Sequence, residues 1–226
     1  MLASPFLVGV LATGPTWRHV PLALFWVAGY FAFFAVSMWL KSGRKPRFVR
    51  PAATYSVVAG VLGVAVLLTS PGLVVWLPAF VLPLGVGLWA ATNRRDRDLV
   101  VGLATTLGSA VMTVVAGEVG QHPDLLRTGA LALVQAAYFA GTVYYVKSAI
   151  RERDNARFLA ISVLFHAGCA SVLGYLWWPL GIVFVALTVR ALVVPPRHPS
   201  PKALGIGEIV ATLVVAVVSL LVVTAP

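Results

Sequence analysis

Fifteen of the 17 Lys and Arg residues fall in four short clusters, at 41–50, 94–97, 147–157 and 190–202, and long apolar stretches separate them. A helix rising ~1.5 Å per residue needs about 20 residues to cross a hydrocarbon core of about 30 Å, and each stretch between clusters holds enough apolar residues for two such crossings. The chain therefore goes out and returns before the next cluster begins. All four clusters fall on one face, and the positive-inside rule makes that face cytoplasmic.

Composition agrees, with 60% hydrophobic and 11% charged residues. A soluble domain needs far more polar surface. The formal charge of +10 sits at helix ends and is not interleaved with aromatics. Anionic inner-leaflet headgroups of the bilayer are thus the expected partner, and nucleic acid is not. One cysteine, Cys169, excludes an internal disulfide, and no Cys/His group has zinc-site spacing, so no metal or cofactor is expected.

Eight segments approach spanning length: 20–40, 53–69, 73–92, 99–117, 128–146, 158–174, 176–192 and 206–223. The expected fold is an all-α polytopic transmembrane bundle, a single domain over 1–226, in the cell membrane with its basic loops cytoplasmic and its C-terminus outside. Ser70-Pro71-Gly72 marks an outer turn, and Pro195, Pro196, Pro199 and Pro201 break the chain inside. Trp17, Trp39, Trp89, Tyr144, Tyr145, Tyr175, Trp177 and Trp178 near the boundaries suggest an interfacial belt. Residues 1–13 are apolar but short. They read as part of a truncated ninth helix or as a short interfacial or re-entrant one.

Several residues are candidates for chemistry. Lys41, Arg44, Lys45, Arg47 and Arg50, joined by Arg151 and Arg157, have the forks and charges of an anion clamp; the same cations also serve as topology determinants. His166 and Gln135 lie mid-span, where a polar group is costly unless it faces other helices, so both are expected to hydrogen-bond inside the bundle. Glu208 is expected in the first turn of the last helix, complementing its dipole, pairing with Arg190 or Lys202, or binding a coupling proton. Asp98 is expected to cap the helix beginning at Leu99, with Asp96 balancing the arginines around it. Pro78 and Pro83 within one crossing are expected to bend or break it. Repeated Gly, Ala and Ser predict close helix packing.

PFLVGVL at 5–11 and FWVAGYFAFFAVSMWLKSGRKPR at 25–47 resemble the YwiC-like family of bacterial membrane proteins, and the resemblance runs over most of the chain. It implies that the short first segment belongs to a helix beginning upstream. With that segment counted, the order of crossings is similar to that of the UbiA superfamily of intramembrane prenyltransferases, and Arg50-Pro51 resembles the dipeptide that opens their third helix. This second resemblance implies nine helices and a prenyl-type phosphate or diphosphate lipid held at loops 41–52 and 147–157, with Asp154 at the second. The chain departs from that pattern, because 36–50 contains no Asp or Glu to hold Mg²⁺, and Glu152 and Asp154 are set among arginines.

Three functions follow as expectations. One is binding or transfer of an amphipathic phosphate or diphosphate lipid, isoprenoid or other, at Lys41, Arg44, Arg47, Arg50, Arg151, Asp154 and Arg157; Mg²⁺ enters only with this one. Another is a secondary carrier of a small solute with a polar path drawn from Gln135, Tyr138, His166 and Glu208. The third is a non-catalytic membrane interaction factor.

Overall fold

The computed structural model describes residues 2–224; Met1 and the last two residues, with the expectations that touch them, lie outside. Among the described residues there are nine α-helices and no strand: α1 Ala3–Thr13, α2 His19–Lys41, α3 Val49–Thr69, α4 Leu77–Thr92, α5 Leu99–Glu118, α6 Leu125–Ile150, α7 Ala156–Leu176, α8 Trp178–Val193 and α9 Pro201–Val223. Eight of the helical spans are long and apolar enough to cross a membrane, and α1, with 11 residues, is the short one. The large apolar side chains left exposed, such as Leu68, Leu126, Leu164 and Leu221, are those expected to meet lipid.

The chain forms two compact units, Met1–Gly129 and Ala130–Pro226. In the first, the core joins Leu22 of α2, Val66 of α3 and Leu73 to Met112, Val115, Ala116 and Val119 around α5. α1 lies close against α5 and the turn after it: a Cβ on Gly9 would strike the Thr113 carbonyl, and one on Gly120, just past α5, would strike Thr13. The turn between α1 and α2 is tied to the end of α5 by His19, whose Nδ1 accepts from Thr16 N–H (2.9 Å) while Nε2 lies 2.8 Å from the Ala116 carbonyl. Thr16 also donates to the Val119 carbonyl at 2.7 Å. Trp76 donates its indole N–H to Glu118 at the same end of α5.

Prolines do not break α4. Pro78 lies in its first turn, where no intrahelical N–H bond is lost. The helix continues through Pro83, whose ring packs on Gly108 of α5, where an added Cβ would come within 2.9 Å of it.

The second unit has its core at Val134, Tyr138 and Phe139 of α6, Ala170 and Leu173 of α7, Leu180, Phe184 and Leu187 of α8, and Val215 of α9. α7 and α8 form a hairpin whose backbones nearly touch, with a Cβ on Gly174 only 3.2 Å from Gly181 Cα. α9 starts at Pro201 behind Ser200, which accepts from Ala203 N–H at 3.2 Å, five residues earlier than the apolar run alone suggests.

Candidate functional site

Within the first unit, Lys41 at the end of α2 reaches Asp96 in the α4–α5 connection, Nζ to Oδ2 3.0 Å, so these two basic connections share one end. Burial pushes the Asp96 carboxyl up, but the Lys41 hydrogen bond and charge, with Arg97 nearby, outweigh it and hold the group below the usual carboxylate value. Asp98 occupies the position before α5, yet its side chain makes no cap bond. It turns to Arg95 instead, with Nε and Nη2 both 2.7 Å from Oδ2. Arg44 adopts a left-handed backbone (φ 63°) and stacks on Trp39, and Arg47 stacks on Phe48. Arg44, Lys45, Arg47 and Arg50 are all exposed.

In the second unit, Arg151, Asp154 and Arg157 lie exposed in and just after the α6–α7 connection. Asp154, also left-handed (φ 64°), places Oδ1 3.6 Å from His198 Nε2 in the α8–α9 connection, so this pair of connections likewise shares an end. His166 is buried and bonds to its own helix, Nδ1 to the Ser162 carbonyl at 2.7 Å, with its other nitrogen facing Gly141 of α6. Gln135 is fully buried one turn before Tyr138.

Charge and hydroxyls come together around Glu208. Because α9 begins at Pro201, Glu208 stands seven residues in, ~10 Å along the axis, and not in the first turn. Its Oε1 meets Arg190 Nη1 of α8 at 2.7 Å, with the two side chains only 18% and 16% exposed. Its Oε2 accepts from Thr142 of α6 (2.8 Å) and lies 3.0 Å from the Tyr138 hydroxyl. Tyr138 Oη is also 2.9 Å from Thr212 Oγ1, and Thr212 donates to the Glu208 carbonyl at 2.7 Å. The Arg190 guanidinium lies over the Tyr145 ring at 4.2 Å, so buried Tyr145 serves this cluster and not the interfacial belt.

Of the expected polar residues, Tyr138 and Glu208 meet directly. Arg190 enters the sequence reading as one of two possible partners of Glu208 and as a member of the 190–202 basic cluster, and the structure brings it, not Lys202, to Glu208. The available signal was its place in an unbroken apolar run, five residues before Pro195. Among the described residues no group of three or more His, Cys, Asp or Glu is placed to hold a metal ion.

Eight spanning helices with a charged and hydroxylated cluster among them define a polytopic helical membrane protein. The chain belongs to the YwiC-like family, whose model, described as YwiC-like protein, matches residues 1–117. It is similar to an "Uncharacterized protein" of Haemophilus influenzae, 26% identical over 215 residues that cover 95% of this chain and 90% of that protein. It is also similar to "Uncharacterized protein YwiC" of Bacillus subtilis, 28% identical over 213 residues, 93% of this chain and 88% of the relative. No solved structure matches.

Proposed function

We propose that the chain is a secondary carrier that moves a small polar solute past the Arg190–Glu208 cluster of the second unit. The observation that carries this reading is an ion pair between two spanning helices, from the last turn of α8 to the eighth residue of α9, 2.7 Å long and ringed by Tyr138, Thr142, Tyr145 and Thr212. Charges at membrane depth are costly to insert and mark substrate or ion pathways more often than they add stability. A buried pair is also weak as a stabilising device, since apolar residues of the same volume frequently do as well. In sealed proteoliposomes, uptake of at least one member of a panel of small acids, amines and polyols is expected, and the Arg190→Gln/Glu208→Gln double variant should lose it. Uptake unchanged in that variant, or a flux no greater than in protein-free vesicles for every solute, overturns the reading.

A second reading is binding of an amphipathic phosphate or diphosphate lipid at the basic connections. It is favoured by the α2–α3 connection, where Arg44, Lys45, Arg47 and Arg50 are exposed and, among the described residues, only Lys41 of the five cations has a carboxylate partner.

A further inference from the structure

The bonding around Arg190 carries the carrier reading one step further, to the chemistry of the solute, and rests on that reading. A guanidinium offers five N–H groups in a rigid plane, and the edge formed by Nε and Nη2 matches two oxygens of a carboxylate or phosphate. Arg95 uses that edge on Asp98, with both nitrogens 2.7 Å from Oδ2. Arg153, just past the end of α6, turns Nε back to the Ala149 carbonyl of its own helix at 2.8 Å. Arg190 does neither. Glu208 Oε1 meets only Nη1, as an ion pair of 2.7 Å that lacks hydrogen-bond alignment, and among the described residues all three guanidinium nitrogens, Nε and Nη2 included, are buried without a hydrogen-bond acceptor. Tyr145 covers one face of the guanidinium at 4.2 Å, which fixes the plane in which the edge lies.

Beyond the ion pair between Nη1 and Oε1, the unused bonding capacity of the cluster lies mainly on the guanidinium. Oε2 of Glu208 is already held by Thr142 at 2.8 Å and Tyr138 at 3.0 Å, and the guanidinium retains only donors. A ligand that completes the cluster must therefore bring acceptors and negative charge. We propose that the Nε/Nη2 edge of Arg190 is an intramembrane binding site for an oxyanion, a carboxylate or phosphate group, with Glu208 as the fixed neighbouring charge that limits its affinity. Tyr145 is a positioning residue for the guanidinium, and Tyr138 and Thr142 hold Glu208 off the edge.

The test uses the full chain in phosphatidylcholine nanodiscs, with the thermal unfolding midpoint followed as inorganic phosphate, acetate or choline is titrated, and in parallel discs containing phosphatidylglycerol. Phosphate or acetate is expected to raise the midpoint if the anion is free, and phosphatidylglycerol alone if it is a lipid headgroup; choline has no effect. Arg190→Gln abolishes the response, Arg190→Lys keeps the charge but loses the fork and weakens it about tenfold, and Glu208→Gln removes a like charge and strengthens it about tenfold. Should Glu208→Gln fail to fold, Arg190→Lys decides.

An unchanged response in Arg190→Gln and Arg190→Lys, or no response to phosphate, acetate or phosphatidylglycerol in wild type and Glu208→Gln alike, overturns the oxyanion site. A choline response lost in Glu208→Gln also overturns it while leaving the carrier reading intact. The uptake assay decides the carrier reading separately.

Discussion

The two oxygens of Glu208 do different work: one neutralises Arg190, and the other is occupied by hydroxyls of α6. A comparable division is seen at the basic end of the first unit, where Lys41 takes Asp96 and Arg95 takes Asp98. The Asp96 carboxyl is held below its ordinary value in the folded protein, so the stability it contributes is complete above the unfolded value and is lost as pH falls through the folded one. Because both partners are one-third exposed, Asp96→Asn should lower stability at neutral pH by no more than about 1 kcal/mol, with the difference from wild type shrinking in acid, measured as thermal midpoints across pH. At this scale the sequence was only partly readable. Glu208, Tyr138 and Arg190 stand out as polar groups in or beside apolar runs, whereas the choice of Arg190 over Lys202 and the turn of Asp98 from its cap position to Arg95 do not, because a long side chain chooses its partner by three-dimensional reach and not by position along the chain.

Individual helices were more legible. The apolar runs place every spanning helix within a few residues, since length and hydropathy are what a bilayer selects. Their ends extend further where a polar or proline residue can start a helix, as Ser200-Pro201 does for α9. Pro83 was harder to read, because a proline costs its helix one hydrogen bond without always ending it, and the packing of its ring on Gly108 of the next helix is a contact that spacing along the chain does not show. Glycines in the α7–α8 hairpin separate packing from propensity. At Gly181 an added Cβ meets the Gly174 backbone, which cannot rotate away, so Gly181→Ala should destabilise by about 1–3 kcal/mol. At Gly168 of α7 nothing lies within 4 Å of an added Cβ, and Gly168→Ala should instead stabilise by about 0.4–1 kcal/mol through the unfolded chain. Unfolding midpoints in detergent that move the same way for both variants would contradict this account of the hairpin.

For the molecule as a whole, the spacing of charges predicts topology. Each unit brings its two basic connections to a common end, through Lys41 and Asp96 in one and Asp154 and His198 in the other. In a Cys169→Ala background, cysteines at Lys45 and Arg157 should resist a membrane-impermeant maleimide added to intact cells, and cysteines at His122 and Tyr175 should react. The reverse pattern would invert the orientation drawn from the positive-inside rule. What composition and spacing do not reveal is which polar side chains meet across helices, since contacts between residues 70 apart, such as Tyr138 and Glu208, depend on how the helices are wound together.

The Arg190–Glu208 pair also bears on biogenesis. A single Arg or Asp at the centre of an inserting helix costs roughly 2.5–3.5 kcal/mol at the translocon, less near its ends. α8 is synthesised before its counter-charge, with only Tyr145 of α6 already available to receive the guanidinium. α9 then supplies the carboxylate, and the α8–α9 pair of charges is neutralised only when both helices are in place. Because Arg190 lies in the last turn of α8, its cost before α9 arrives is at the small end of that range, and the arrival of Glu208 removes what is left of it.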